Sequence, residues 1–199
     1  MRLIFTIACI VWASVSNGQE GQRKYVTDAL DSKIEWTAKK LAGEHSGEIK
    51  LKAGELIFFK DKLTGGTFEM DMKTITCTDI TDAKSNKRLV DHLKSEDFFS
   101  VVRFPTSRFV ITSVDTRSPT EYIVTGNLTI KGKTNPLTFP VNIRSNRNEI
   151  LAEATLTFDR SRYDVKFGSQ SFYENLGDKL VYDDIDISIK LVMKQEPLN

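Results

Sequence analysis

Apolar and polar residues alternate at period two along most of this chain, and this pattern constrains its fold more than any other feature. The clearest example is the segment 185–194, where apolar residues stand at 185, 187, 189, 191 and 193 and are interleaved with Asp186, Ser188, Lys190 and Lys194. Period two is typical of a β-strand that buries one face. Similar alternation recurs in the segments 34–38, 68–72, 122–130 and 152–158. The pattern predicts a meander of about eight to ten strands.

Candidate turns lie between these segments, where glycine or asparagine interrupts the alternation. They are Gly54, the pair Gly65-Gly66, and the run Asn146-Arg147-Asn148. Gly and Asn favour the tight turns that join antiparallel strands. We therefore predict that hairpins make most of the connections.

One segment, from about Asn86 to Phe99, departs from the strand pattern. Leu89, Leu93 and Phe98 follow the spacing of a helix with one apolar face. Asn86 is a residue type that can cap the start of a helix. The sequence predicts one helix inserted in the meander.

A long antiparallel sheet with one apolar face must bury that face against another sheet or by closing on itself. Long strands joined by hairpins favour closure over a sandwich. An eight-stranded barrel has an interior just wide enough for side chains or for one slender ligand. The length of 199 residues suits one domain. The predicted fold is all-β, a single antiparallel barrel with one inserted α-helix.

Residues 1–18 have the features of a secretory signal peptide. Arg2 supplies the positive start, the run 3–15 is mostly apolar, and Ser16-Asn17-Gly18 offers small residues for cleavage. The run is shorter than the roughly 20 residues of a membrane helix. Cys9 is a weaker candidate for a lipid anchor, since Thr6 stands where such sites have leucine. We predict a barrel domain at 19–199, exported to a periplasm or secreted, without a membrane span.

Composition and motifs give little support to nucleic-acid binding, metal binding or catalysis. Lys and Arg total 28 against 27 for Asp and Glu, so no basic surface for nucleic acid is indicated. The two histidines are far apart in the chain and have no paired cysteines, whereas zinc sites gather several such ligands. Neither a GxSxG motif nor a Gly-rich phosphate loop is present. The sequence predicts no catalytic residue, metal or cofactor.

Three single residues each have two interpretations. His92, near the apolar edge of the predicted helix, either bonds a lipid head group or has a local structural role. His45, in the stretch HSGE, belongs either to a ligand-facing rim or to a hairpin turn. Cys77 is either a reactive thiol or a small buried hydrophobic residue, and burial is the more common role of a lone strand cysteine.

Two longer motifs resemble the YceI-like polyisoprenoid-binding family. The first is KRLVDHLKSEDFFSVVRFP at residues 87–105, and the second is GNLTIKGKTNPLTFPV at residues 126–141. Weaker matches at 45–47 and at DRSRYDVKFGS, residues 159–169, extend the resemblance over about 24–194. Leu89 and Val90 stand where many members carry an arginine-aspartate pair, and Lys131 stands where histidine is frequent.

The resemblance implies a lipocalin-like barrel that binds, stores or transports a polyisoprenoid or other long-chain amphipathic lipid without catalysis. Burying such a chain gains about 0.8 kcal/mol per methylene. Inward positions of the alternating strands, with His92 at the helix, are the predicted ligand-binding residues. They are Trp36, Phe68, Met70, Met72, His92, Leu128, Ile130, Phe139, Leu156 and Phe158.

Other functions are compatible with the same pattern, because alternation identifies a buried face and does not distinguish a cavity from a packed core. One alternative is a fully packed barrel that acts as a stress or interaction protein through its outer surface. Another is an accessory protein of electron transfer that carries an isoprenoid quinone, or an enzyme that acts on a lipid in the lumen. A monomer and a homodimer are both compatible with a closed barrel.

Overall fold

The computed structural model describes residues 21–146 and 148–197, so the predicted signal peptide lies outside the described residues. Nine strands and one α-helix make up the described fold, with three short 3₁₀ turns at Met72–Thr74, Arg160–Tyr163 and Gly177–Lys179. In chain order the elements are β1 (Gln22–Lys40), β2 (Gly43–Glu48), β3 (Lys50–Phe59), β4 (Lys62–Asp71), α1 (Ala83–Lys94), β5 (Thr106–Thr116), β6 (Glu121–Ile130), β7 (Lys133–Asn146), β8 (Glu149–Asp159) and β9 (Val181–Gln195).

The strands form one closed antiparallel barrel, as the alternation predicts. Each strand from β3 to β9 pairs with its neighbour in the chain, and β9 returns to pair with β1. On the side of β1 opposite to β9, β2 pairs with the end of β1 and β3 pairs with its start. Between them the Ile49 N–H donates to the Ile34 carbonyl at 3.0 Å. β2 and β3 therefore share one position in the wall, and the barrel has eight positions.

The two ends of the barrel are built differently. At the hairpin end, short connections join β3 to β4, β5 to β6 and β7 to β8. At the other end, which we call the helix end, long segments cross the barrel: residues 72–105 with α1, and residues 160–180 between β8 and β9. Large buried side chains fill the hairpin end, where the Tyr25 and Phe58 rings meet edge to face at 5.5 Å. We call this filled end of the barrel the floor, and its buried residues are Tyr25, Phe58, Tyr122, Ile150 and Met193.

The turns predicted at Gly54 and at Gly65-Gly66 are wrong. Gly54 lies inside β3, both other glycines lie inside β4, and the chain turns instead at Lys60-Asp61. Lys60 and Asp61 adopt φ of 48° and 65°, the left-handed conformation that a tight hairpin turn requires. A Cβ on Gly54 would lie 2.6 Å from the Phe68 ring, so this glycine makes room for a neighbouring side chain. The third predicted turn falls between the end of β7 and the start of β8, and its central residue, Arg147, lies outside the described residues.

The inserted helix is confirmed, but it begins earlier than the sequence suggests. α1 starts at Ala83, and its N-cap is Asp82, whose carboxylate accepts the Ser85 N–H at 2.8 Å. Asn86, the predicted cap, lies in the first turn and donates its side-chain amide to the Cys77 and Ile80 carbonyls. The cap was misplaced because Asp82 and Asn86 are both good capping residue types, and only tertiary contacts distinguish them.

We expect Gly47→Ala to destabilise the barrel. Gly47 pairs with Trp36 across β1 and β2, and a Cβ there would lie 1.8 Å from the Thr76 carbonyl oxygen and 2.7 Å from the Trp36 ring. Since a backbone atom must move, the free energy of unfolding should fall by about 1–3 kcal/mol in urea titration. Gly65→Ala is the matched control, because a Cβ at Gly65 meets nothing within 4 Å. Equal stability of the two variants would contradict the packing described here.

Candidate functional site

The barrel encloses a cavity of about 200 Å³, which we call the lumen. A single water molecule needs roughly 10–15 Å³ of such space. Every one of the eight wall positions contributes side chains to the lumen. Within the described residues, all the residues of its wall are apolar except Ser107, Glu153 and Arg160. The lumen is therefore an apolar container with polar groups at few points.

Nine of the ten predicted ligand-binding residues lie on the lumen wall. The tenth, His92, does not border the lumen, and its ring packs on the far side of Phe98. The nine are Trp36, Phe68, Met70, Met72, Leu128, Ile130, Phe139, Leu156 and Phe158. The strand pattern finds them because alternate positions share one face of a sheet.

The prediction missed wall residues of two kinds. Ile187, Ile189 and Leu191 belong to the clearest alternating strand, so the pattern could have included them. Leu93 and Phe98 reach the lumen from α1 and the turn after it, and they close the helix end. No strand pattern could have identified this second group, since it depends on how the helix packs over the barrel.

An aromatic cluster packs against the outside of this closure. The rings of His92, Phe98 and Phe167 contact one another: the His92 centroid lies 5.0 Å from that of Phe98 and 4.5 Å from that of Phe167, with near-perpendicular planes, and the two phenyl centroids are 5.3 Å apart. His92 Nε2 lies 3.5 Å from the Asp97 carboxylate. His92 thus joins the helix to the 160–180 segment, and Phe98 separates it from the lumen.

Arg160 is a fully buried charged residue of the wall, with 1% of its surface exposed. Its guanidinium donates to the carbonyls of Val165, Val181 and Tyr182 at 3.0, 2.9 and 3.2 Å. Burial lowers the pKa of Arg160, while the neighbouring Asp183 carboxylate opposes this shift. An arginine keeps its proton at neutral pH nonetheless. The buried cation therefore anchors the crossing segment to the start of β9.

Asp183 balances this charge and holds the same segment from the other side. Its Oδ1 lies 3.2 Å from the Arg160 guanidinium. The two groups form an ion pair, but the contact does not have the geometry of a hydrogen bond. Its Oδ2 accepts hydrogen bonds from the Ser169 and Ser171 hydroxyls at 2.8 and 2.7 Å. No local pattern predicts this network, because Arg160 and Asp183 are 23 positions apart in the chain.

A second polar cluster, formed by His45, Cys77 and Asp79, lies outside the lumen. His45 Nδ1 and the Cys77 thiol lie 2.8 and 3.2 Å from the Asp79 carboxylate, which also accepts the Ser46 N–H at 2.9 Å. His45 is in β2 and not in a turn. Burial acts to raise the pKa of Asp79, but hydrogen bonds from Ser46, His45 and Cys77 lower it to about 2.

This cluster connects the barrel to the segment that leads into α1. Thr76 and Thr78 donate their N–H groups to the Glu48 and Ser46 carbonyls, both at 2.9 Å, and so cover the outer edge of β2. Burial and the nearby Asp79 carboxylate raise the pKa of the Cys77 thiol. A reactive thiol needs the opposite shift. The geometry favours a structural cysteine.

Two further observations concern the described ranges alone. In these ranges, no group of three or more His, Cys, Asp and Glu side chains, the cluster at Asp79 included, has an arrangement that could hold a metal ion. Over the same ranges, no helix has the length and apolarity needed to cross a membrane.

Comparison with known proteins gives one consistent result. A family model described as a YceI-like domain matches residues 25–193. A UPF0312 protein from Shewanella denitrificans is 33% identical over 85 residues, which cover 43% of this chain and 42% of that protein. Protein YceI from Salmonella arizonae is 30% identical over 149 residues, which cover 71% of this chain and 67% of that protein.

Solved structures resemble this fold over most of its length. BcnA from Burkholderia cenocepacia superposes with a TM-score of 0.69 at 25% identity, covering 83% of this chain and 98% of BcnA. A polyisoprenoid binding domain from Saccharophagus degradans superposes with a TM-score of 0.64 at 11% identity, covering 86% of this chain and 98% of that domain. At 11% identity the second likeness concerns the fold alone.

We expect Asp79→Asn to lower stability in a pH-dependent way. The folded pKa of about 2 lies below the ordinary value of 3.8, so the carboxylate stabilises the fold above pH 4 and loses this effect as the pH falls towards 2. At pH 7 the variant should lose about 1 kcal/mol in urea unfolding, less than the full pKa shift would give because solvent screens this exposed carboxylate, and the difference should shrink between pH 4 and pH 2. Asp178→Asn, at an exposed position, is the control. A loss independent of pH would contradict this account.

We expect Asp183→Ala to be one of the most damaging single substitutions in the barrel. It leaves the Arg160 charge buried without its partner, which typically costs 3–5 kcal/mol. Urea unfolding measures the loss, and limited proteolysis should show earlier cleavage within 160–180. Asp184→Ala removes the adjacent, exposed carboxylate and should have little effect on either measurement. Similar losses in both variants would show that the buried pair is not the anchor.

Proposed function

The chain belongs to the YceI-like family, and from this premise we propose that its lumen binds a polyisoprenoid or another long-chain amphipathic lipid. The protein stores or transports this lipid and does not alter it. One observation carries the proposal: the closed barrel has a continuous apolar lumen instead of a filled core. The likeness in fold to the polyisoprenoid binding domain from Saccharophagus degradans also supports it.

The energetics of burial favour a long chain over a short one. Each buried methylene contributes about 0.8 kcal/mol, so ten of them contribute roughly 8 kcal/mol. Association itself costs on the order of 4–15 kcal/mol in lost freedom. A short apolar molecule therefore gains too little, whereas a chain of about twenty carbons exceeds the cost. Flexible side chains such as Met70 and Met72 can adapt the wall to an irregular chain.

The polar groups near the lumen support binding without catalysis. The Arg160 guanidinium is already engaged by three carbonyls and by Asp183. Cys77 and His45, the residue types suited to nucleophilic or acid-base chemistry, do not border the lumen. A hydrolytic mechanism would need a nucleophile and a base together beside the cargo. The hydroxyl and the carboxylate of the described wall, those of Ser107 on β5 and Glu153 on β8, are separated by two strands, and the Glu153 carboxylate pairs with Arg144.

We further propose that the protein acts in an exported compartment, a periplasm or the cell exterior, after removal of residues 1–18. The support is the signal-peptide pattern of the sequence. N-terminal sequencing of the protein recovered from the cells that make it tests this point. A first residue of Gln19 is expected, and an uncleaved start at Met1 would contradict the proposal.

The direct test is to identify what the protein carries. The full chain is produced with its own N-terminus, purified, denatured and extracted with organic solvent, and the extract is analysed by mass spectrometry. A stoichiometric isoprenoid or acyl compound is the expected result. A clean blank, repeated after incubation with a lipid extract, would overturn the proposal and favour a barrel that acts through its outer surface.

We expect Ala154→Phe to abolish lipid retention while the barrel still folds. Ala154 borders the lumen midway along β8, so a phenyl ring there occupies space that the cargo needs. The amount of co-purifying lipid per protein should fall at least tenfold, since filling the site removes several buried methylenes. Thr155→Phe adds the same ring to the outer face of the same strand and should leave retention unchanged. Equal retention in both variants would place the lipid outside the lumen.

A further inference from the structure

The wall of the barrel has a gap between β7 and β8. Residues 141–146 of β7 pair with residues 149–154 of β8, and the ladder between the two strands ends there. Towards the helix end, residues 133–140 and 155–159 continue as strands without pairing with each other. On their other sides both segments stay fully paired, β7 with β6 and β8 with β9. The gap is therefore confined to one seam of the sheet.

Two prolines in β7 account for this gap. The Ile143 N–H donates to the Thr120 carbonyl at 2.7 Å, on the side of β6. Successive N–H groups of a strand point alternately to its two neighbours, and the β6–β7 register runs without interruption, so the even positions of β7 point to β8. Within the gap, two of these even positions are Pro136 and Pro140, which have no N–H. β7 therefore lacks donors that would extend its ladder with β8.

A groove on the outer surface lies over this gap. Three inward side chains, Phe139, Leu156 and Ile187, border both the groove and the lumen. They separate the two spaces where no β7–β8 ladder is present. Side chains change rotamer much faster than paired strands open. At the gap, the wall between lumen and groove consists of movable side chains and not of hydrogen-bonded backbone.

The outward lining of the groove is polar, and most of its side chains are small. Across β8, β9 and β1 its residues form two rows, Thr155, Ser188 and Glu35 in one and Thr157, Asp186 and Thr37 in the next. Hydroxyl groups are the most frequent polar groups, and the two charged groups are both carboxylates. The groove suits a neutral head group with hydroxyl groups, because its lining contains no cation to bind an anion.

The head group of an amphipathic lipid finds little else to bond inside the barrel. The lumen wall is apolar except at Ser107, Glu153 and Arg160, and the last two are already engaged in ion pairs. Large side chains fill the hairpin end, and Leu93 and Phe98 close the helix end. A head group left in the lumen would lose its hydrogen bonds to water without replacement. The groove offers such bonds directly beside the lumen.

We propose that the cargo holds its chain in the lumen and its head group in this groove, and that the link between them passes between β7 and β8. The inference rests on the proposed lipid-binding function and deepens it. The cargo is a long-chain lipid with a neutral, hydroxyl-bearing head group, such as a glycerol ether, and not a phosphate ester. Burial of the chain supplies most of the binding free energy, so the groove selects the head group and contributes little to the amount of lipid retained.

Photocrosslinking locates the head group in the unmodified protein. The probe is a geranylgeranyl ether of glycerol whose head group carries a small alkyl diazirine. The delipidated full chain is incubated with the probe and irradiated, and the adducts are mapped by peptide mass spectrometry. We expect adducts at outward positions around the gap, above all at Thr138, Thr155 and Ser188. Adducts confined to 72–105 and 160–180, or to inward residues of the lumen, would overturn the inference.

Two probes with the same chain test the selectivity for a neutral head group. Geranylgeranyl glycerol ether is neutral, and its phosphate ester is an anion at pH 7. Dissociation constants are measured from the retained probe by mass spectrometry, and we expect the wild-type protein to prefer the neutral probe. Glu35→Gln combined with Asp186→Asn should reduce this preference about three- to tenfold, because the two substitutions remove negative charge from the groove.

A second double variant is the matched control for this selectivity. Glu55→Gln combined with Glu69→Gln also removes two outward carboxylates that pair with lysines. Both residues lie on β3 and β4, opposite the gap in the strand order of the barrel. This variant should keep the wild-type ratio of the two dissociation constants. An equal change in the two double variants would show a general effect of net charge and would overturn the assignment of the groove.

The outcomes distinguish this inference from the function on which it rests. If the probes bind, but the adducts lie away from the gap or the wild-type protein shows no preference for the neutral probe, the head-group inference is overturned and lipid binding stands. If neither probe is retained and no lipid is extracted from the native protein, both proposals fail.

Discussion

The backbone pairing between the first and last strands is the interaction on which the rest of this structure depends. β1 and β9 pair from Tyr25 with Gln195 to Lys40 with Val181. This ladder joins the two ends of the sheet, so that every apolar face turns inward around a common axis. An open sheet of these strands would expose a long apolar face and two unpaired edges, which favour aggregation. Closure therefore creates both the fold and the enclosed lumen.

The two ends of the barrel are closed by different physical means. The hairpin end is filled by large apolar side chains, including Tyr25 and Met193, held by short turns. The helix end is covered by long segments whose attachment depends on specific polar contacts, above all those of Arg160 and Asp183. Apolar packing tolerates many substitutions of similar volume, whereas a buried ion pair fails when either partner is removed. The helix end is consequently the part of the fold most sensitive to single polar changes.

The sequence alone predicted the strands, the closure, the inserted helix and nine residues of the lumen wall, because period-two alternation depends directly on which face is buried. It failed where local chemistry is ambiguous. Glycine is a residue type typical of turns, yet Gly54 lies inside β3, where a side chain would clash with the Phe68 ring. It also failed where partners are distant in the chain, as with His45 and Asp79, which nothing in their local patterns connects.

Alternation could not decide between a filled core and a hollow one, and the sizes of the inward residues explain the difference. An eight-stranded barrel is narrow enough for ordinary side chains to fill it. Along β8 the inward residues change from Ile150 at the floor to Ala152 and Ala154 beside the lumen. On β1, Trp36 is large, but it faces Gly47, which has no side chain. The barrel is hollow where small residues replace large ones.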